Sequence, residues 1–242
     1  MIKNSLKYLL LALLISSGLV AQVQVGSPIL GAASGDYFGE NTAINGNGTI
    51  VAGFAVNHDS NKGHVRVFQF TSGSWAQMGA DIDGEAASDN GAIKEGSNNI
   101  ALNYAGNILA FGSVNNDGGG SNAGSVRVYH FTSGSWTQMG SDIDGEVAED
   151  NFGISVDLSD DGQTLVVGAL YHENGGNANV GAIYVYKWNG STWQEIGLMH
   201  GDETANYRFG NAVSINSDGS IVAGSSRSGE GNGLRGEVKI FQ

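Results

Sequence analysis

The feature that most constrains this 242-residue chain is a long unit that recurs four times from Asp36 onward. Its clearest copy opens on Asp150-Asn151-Phe152-Gly153, runs to an Asp161-Gly162 turn and continues as Leu165-Val166-Val167-Gly168-Ala169. A polar loop rich in Gly and Asn then leads to Gly181-Ala182-Ile183-Tyr184-Val185-Tyr186, an Asn189-Gly190 turn and Trp193. The first copy repeats this with Phe38-Gly39, Ile50-Val51-Ala52-Gly53, Val65-Arg66-Val67-Phe68 and Trp75. The second has Ile108-Leu109-Ala110-Phe111-Gly112, Val126-Arg127-Val128-Tyr129 and Trp136, carries a short insertion and lacks the Phe-Gly pair. The fourth has Phe209-Gly210, Ile221-Val222-Ala223-Gly224 and Val238-Lys239-Ile240-Phe241. Trp75, Trp136 and Trp193 follow one another at nearly equal intervals, and Gly168 and Gly224 keep the same spacing. A near-constant period of this length marks a repeat architecture.

Each unit divides into four short apolar segments, in the third copy 154–158, 164–169, 182–188 and 192–198. Tight hairpin signals, Asp-Gly and Asn-Gly, join them in pairs. Ile183-Tyr184-Val185-Tyr186 is apolar on both faces, so neighbours must cover both. Thirty-nine Gly in many clusters fit a chain of turns, and no helical period appears beyond the N-terminus. The expected fold is all-β: a β-propeller of four-stranded antiparallel blades. Its repeats are about 36–88, 89–149, 150–206 and 207–242 plus 22–35, in one domain over 22–242. Gln24-Val25-Gly26-Ser27-Pro28-Ile29 is in phase with Gln138-Met139-Gly140-Ser141-Asp142-Ile143. The spacing therefore predicts four blades, with residues 23–29 as an N-terminal strand that closes the last blade on residues 237–242. A structural piece of a larger surface protein is the competing reading, since a repeat array can be cut in any phase.

Lys3 and Lys7, the apolar run 8–15 and the small residues Ser16, Ser17 and Gly18 read as a signal peptide over 1–21. The apolar run is too short to span a bilayer, so export to the extracellular space, the cell surface or the periplasm is expected, with no transmembrane span in the mature chain. With that segment removed, nine basic residues face 24 acidic ones, a net charge of −15. Such a surface repels nucleic acid. There is no Cys, so no disulfide contributes in any compartment.

The order Phe152-Gly153, Asp161-Gly162, Leu165-Val166-Val167-Gly168-Ala169 and Gly181-Ala182-Ile183-Tyr184-Val185-Tyr186 resembles the FG-GAP repeat. That family includes the propeller of integrin α subunits and many secreted bacterial proteins. The resemblance implies a secreted or cell-surface propeller used for adhesion or binding of a protein or glycan. Two departures stand out: Leu170 replaces the proline of the family's GAP, and integrin propellers have seven blades. The family's calcium hairpin is also incomplete here, because Asp157, Ser159 and Asp161 are present but Leu165 stands where the last ligand belongs.

A second acidic motif occurs twice, as Asp81-Ile82-Asp83-Gly84-Glu85 with Asp89, and as Asp142-Ile143-Asp144-Gly145-Glu146 with Asp150. Alternating carboxylates around a Gly turn can converge on calcium, or simply cap a solvated turn between blades. No cofactor beyond this calcium is implied. His58, Asp59, Asp117, His172 and Glu173 fall in equivalent loops between second and third strands, and are candidate ligand-binding residues on the face that the acidic turns share. The repeated Trp75, Trp136 and Trp193 read as packing between blades; facing solvent, they would stack on sugar rings. Enzyme signatures are poor: there is no Cys nucleophile, no Gly-x-Ser-x-Gly elbow and no paired-His metal motif. The sequence therefore favours a non-enzymatic binding propeller, with a lectin or a glycan-acting enzyme on the long-loop face as the alternative.

Overall fold

The computed structural model describes residues 23–89, 98–202, 206–226 and 235–242. The expected signal peptide and most of the insertion in the second copy lie outside the described residues. Each copy folds as one antiparallel sheet. Blade 1 holds β1 (Phe38–Ile44), β2 (Ile50–Ala55), β3 (His64–Thr71) and β4 (Ser74–Gln77), with β5 (Ile82–Asp83) pairing β3 beyond β4. Blade 2 repeats this with β6 (Ile100–Leu102), β7 (Ile108–Ser113), β8 (Ser125–Thr132), β9 (Ser135–Gln138) and β10 (Ile143–Asp144). Blade 3 holds β11 (Phe152–Leu158), β12 (Thr164–Ala169), β13 (Ala182–Trp188) and β14 (Trp193–His200). Blade 4 has three strands, β15 (Phe209–Ile215), β16 (Val222–Ser226) and β17 (Glu237–Phe241). These are four antiparallel blades in a propeller arrangement, with β1 packed on β6, β6 and β7 on β11, and β11 and β12 on β15.

The core lies between blades. Ala110, Val126 and Val128 of blade 2 meet Val156, Leu158, Leu165 and Val167 of blade 3, all buried. This is why strands such as β13 are apolar on both faces: each face lines a different interface.

The Phe-Gly pair makes a bulge at the start of the first strand. The β-ladder slips between Phe38 and Asn41, between Phe152 and Ser155, and between Phe209 and Ala212. The glycines at the slips have φ of +92°, +88° and +84°, a region costly for any residue with a Cβ. The bulges of blades 3 and 4 push their glycine carbonyls against the preceding blade. A Cβ on Gly112 would lie 2.0 Å from the Gly153 oxygen, and one on Gly168 2.1 Å from the Gly210 oxygen. Glycine is thus required on both sides of the junction. The second copy has no Phe-Gly pair, and the matching residue of blade 1 is Phe54, fully buried with its ring 5.8 Å from that of Phe111.

The ladder corrects the alignment of Gly53 and Gly224 with Gly168. Gly168 pairs with Ser155, whereas the residues at that rung in blades 1 and 4 are Phe54, opposite Asn41, and Ser225, opposite Ala212. Gly53 and Gly224 are one residue earlier. Because side chains alternate, they face the opposite side of their sheets from Gly168: a Cβ on Gly224 would strike Ile183 of the preceding blade, and one on Gly53 the Phe38 ring.

The repeated tryptophans fasten blades 1 to 3 to the connection that precedes each. Trp136 Nε1 donates to the Met78 carbonyl (2.7 Å), Trp193 Nε1 to that of Met139 (3.0 Å) and Trp75 Nε1 to that of Val25 (2.9 Å). Each ring also tilts against an aromatic of the third strand, Phe131, Trp188 and Phe70 in turn. Trp193→Phe keeps an aromatic ring and removes the donor. It should cost about 0.5–1.5 kcal/mol, read as a melting temperature lower by about 1–6 °C; an unchanged melt would show that the bond adds nothing.

Residues 23–29 do not close the last blade. They carry no strand, and β17 has no partner on its outer edge among the described residues. Instead Val25 and Leu30 are held on blade 1 through Trp75 and Arg66. Nor does β15 pack back on β1 as the inner junctions do. The end faces stay open: Ile44 is 63% exposed where Leu158 is 6%, and Ile240 is 72% exposed where Val128 is 2%. Ser225 supplies a physical reason. Its Cβ stands where the carbonyl of a Phe-Gly bulge would press, and blade 1 carries such a bulge at Gly39.

Candidate functional site

One hydrogen bond recurs at every connection. Gly84 N donates to the Gly63 carbonyl, Gly145 N to that of Gly124, and Gly201 N to that of Gly181. It ties the loops between second and third strands to the connections between blades, so both lie on one face. The acidic motif follows from this packing. Ile82 and Ile143 are buried and pair with Val65 and Val126. A Cβ on Gly145 would lie 2.4 Å from the Ala123 oxygen, so the backbone approach demands glycine.

The two acidic turns meet at one cavity of about 320 Å³ lined by Glu85, Asp89, Asn116, Asp117, Asp142 and Asp144 among others. Glu85 and Asp142 approach each other across it. Burial and then the Asp142 charge hold Glu85 above the usual carboxylate range, with Arg127 partly offsetting them. Burial and Asp142 act on Asp144 in the same direction. Asn116 ties the rim together, its Nδ2 donating to Glu85 Oε2 and Asp89 Oδ2, both at 3.1 Å.

Several other sequence candidates sit elsewhere. Asp81 binds Arg66 Nε (3.2 Å) and Gln77 Nε2 (2.6 Å) on the blade edge. The exposed Asp83 offers its carbonyl to Arg127. Glu146 lies outside the cavity lining, and its charge acts on Glu195, Tyr184 and Tyr186 of blade 3. Asp59 is in the irregular turn His58–Asn61 with φ of +46°, and Glu173 is exposed. The hairpin carboxylates have structural partners: Asp157 accepts from Ile215 N and Ser214 Oγ of blade 4, and Asp161 from Ser159 Oγ and Gln163 N.

His58 and His172 each meet an aspartate 22 residues earlier. His58 Nδ1 is 3.1 Å from Asp36 Oδ2, and His172 Nδ1 is 2.7 Å from Asp150 Oδ2. In blade 2 the same pairing is Asn116 with Asp89. The recurring interval was visible in the sequence. What no interval reveals is the second imidazole at each place: His64 of β3 lies tilted against His58 with ring centres 4.0 Å apart, and His200 of β14 stacks on His172 at 5.2 Å. Among the described residues, Asp36, His58 and His64 are the group whose ligand atoms all lie within 4.8 Å of one another.

A further cavity of about 390 Å³ on this face is lined by amides, with Asn122, Asn151 and Asn179 around an apolar floor of Val114 and Ile154, beside Tyr171. Glu149 closes one side and accepts from Asn122 Nδ2 at 3.1 Å.

Residues 142–186 match the FG-GAP repeat family. No curated protein matches the chain. Among solved structures, it is similar to TolB from Acinetobacter baumannii (TM-score 0.44, 13% identity, 83% of this chain and 40% of that one). It is also similar to the β-propeller domain of the Trilobed protease from Pyrococcus furiosus, described as having an open velcro topology (TM-score 0.47, 10% identity, 84% and 53%). A third is a TolB from Agrobacterium tumefaciens (TM-score 0.47, 14% identity, 84% and 61%). The chain spans about two-fifths to three-fifths of the length of these three chains. No helix among the described residues is long and apolar enough to cross a membrane.

Proposed function

We propose that this propeller with its FG-GAP repeat is an exported, non-enzymatic binding or adhesion protein that engages a protein or glycan on its loop face, through a calcium ion held at the acidic cavity. The observation that carries this is the meeting of Glu85 with Asp142 and Asp144 from two different repeats. Carboxylates this close repel, and a hard divalent cation relieves the repulsion while ordering both turns. Calcium takes six to eight oxygens, and the cavity's carboxylates do not by themselves close on one point. Oxygens from water and from the docked ligand complete the shell, which makes binding depend on the ion.

The test is thermal unfolding of the mature protein with calcium or with chelator. Extracellular calcium sites have Kd of roughly 10⁻⁴–10⁻³ M, so a few millimolar ion should add about 1–2 kcal/mol. That raises the melting temperature by about 2–8 °C. Glu85→Gln should abolish this rise. In chelator the same variant should melt higher than the parent at neutral pH. The sign follows from Glu85 and Asp144: their folded pKa values are raised, so the folded state binds protons more tightly and loses stability as pH rises from the unfolded carboxylate value through the folded one. Parallel arrays of glycans and extracellular proteins should show capture that needs both calcium and Glu85. No calcium shift, or capture indifferent to chelator, would overturn the calcium-linked reading.

A second reading, lectin activity without an ion, draws support from the amide-lined cavity. Side-chain amides and an aromatic edge over an apolar floor suit neutral sugar hydroxyls and ring faces. On this reading Asn122→Ala and Asn179→Ala lower oligosaccharide capture while chelator leaves it unchanged.

A further inference from the structure

Buried polar groups are almost always hydrogen-bonded, and an orphan costs about 1–3 kcal/mol. His64 is fully buried, and neither of its ring nitrogens has a hydrogen-bond partner. Both nitrogens of one imidazole are therefore left unsatisfied beside a second imidazole and a buried aspartate. In blade 3 the second imidazole, His200, is short of a partner at Nδ1 alone, and the His172 beside it has Asp150 at 2.7 Å and the Tyr184 hydroxyl at 3.3 Å.

We propose that Asp36, His58 and His64 form a binding site for a zinc-like divalent transition ion, separate from the acidic cavity. Two imidazoles and one carboxylate are a donor set that suits zinc and leaves a fourth position for water. Zinc–ligand bonds of about 2.0–2.2 Å set tetrahedral ligands roughly 3.4 Å apart. Asp36 and His58 already stand at 3.1 Å, and all three ligand atoms lie within 4.8 Å of one another. Closing on an ion asks these three donors to draw together by side-chain rotation. Asp36 is anchored for this by the Ala33 amide, which donates to its Oδ2 at 3.1 Å. Asp81 adds negative charge 3.8 Å from His64 Nδ1. The half-exposed His58 opens the site to solvent. Calcium, which prefers oxygen donors, is a poor fit to two imidazoles.

The experiment is calorimetric titration of the mature protein with zinc, with cobalt(II) absorption as an independent report of imidazole coordination. The parent should bind one zinc with a saturable isotherm and show cobalt bands typical of a four-coordinate N/O site. His58→Ala and Asp36→Asn should each weaken zinc at least tenfold. His64→Ala empties a buried position and can unfold blade 1, so the surface-side His58→Ala decides where folding fails. His172→Ala and Glu85→Gln should leave zinc affinity unchanged, which separates this site from blade 3 and from the calcium reading. Absence of saturable binding in the parent, or affinity unaltered by His58→Ala and Asp36→Asn, overturns the proposal; so does loss of binding in Glu85→Gln alone.

Discussion

Gly168→Ala is expected to be among the most destabilising single-methyl changes in this chain. The new Cβ would lie 2.1 Å from the Gly210 oxygen and 2.4 Å from Ser155 Oγ. The carbonyl is backbone, fixed by a bulge in β15, so it cannot rotate away, and Ser155 Oγ itself donates to that carbonyl at 2.8 Å. Overpacking against such neighbours costs about 3 kcal/mol, which lowers the melting temperature by about 6–12 °C. Gly175→Ala is the control. It has positive φ of +61° but nothing within 4 Å of the added carbon, so it should cost only the roughly 1–2 kcal/mol of a left-handed residue. Equal melts for the two variants would mean that the contact between blades 3 and 4 is looser than the Gly168–Gly210 approach requires.

Phe54→Ala should produce a loss of similar size by the opposite route. Phe54 fills the space that a Phe-Gly bulge occupies at the other inner junctions, and it is fully buried against Phe111. Truncating a buried Phe leaves a cavity and costs about 3–5 kcal/mol, so the melting temperature should fall by about 6–20 °C. Because the second copy has no Phe-Gly pair to move in, the void persists. Denaturant titration should show the midpoint shifting at constant slope. A loss below about 1 kcal/mol would show that blades 1 and 2 collapse onto the gap, contrary to a close-packed junction of fixed spacing.

The repeat by itself determined the blades. The period, the paired hairpin turns and strands apolar on both faces require sheets stacked face to face, because such strands cannot be left uncovered. The Asp-to-His interval of 22 residues was also visible in blades 1 and 3, as was the phase of the N-terminal segment. Tertiary structure decided everything that one blade does to the next. Gly53, Gly168 and Gly224 read alike in the sequence, yet a one-residue offset in the ladder turns Gly53 and Gly224 to the opposite face of their sheets, against Phe38 and Ile183. The phase of residues 23–29 pointed to closure, but phase carries no information about the Cβ of Ser225 or the Gly39 bulge at the other end. The acidic motif was visible as two separate turns; only the packing of adjacent blades brought Glu85 against Asp142 and sent Asp81 and Glu146 elsewhere. His64 gave no signal at all, since it lies in an ordinary third strand and meets His58 and Asp36 only through the fold of the loop that precedes it. Periodicity is a property of the chain, whereas these contacts depend on which face each residue presents and what the neighbouring backbone leaves room for.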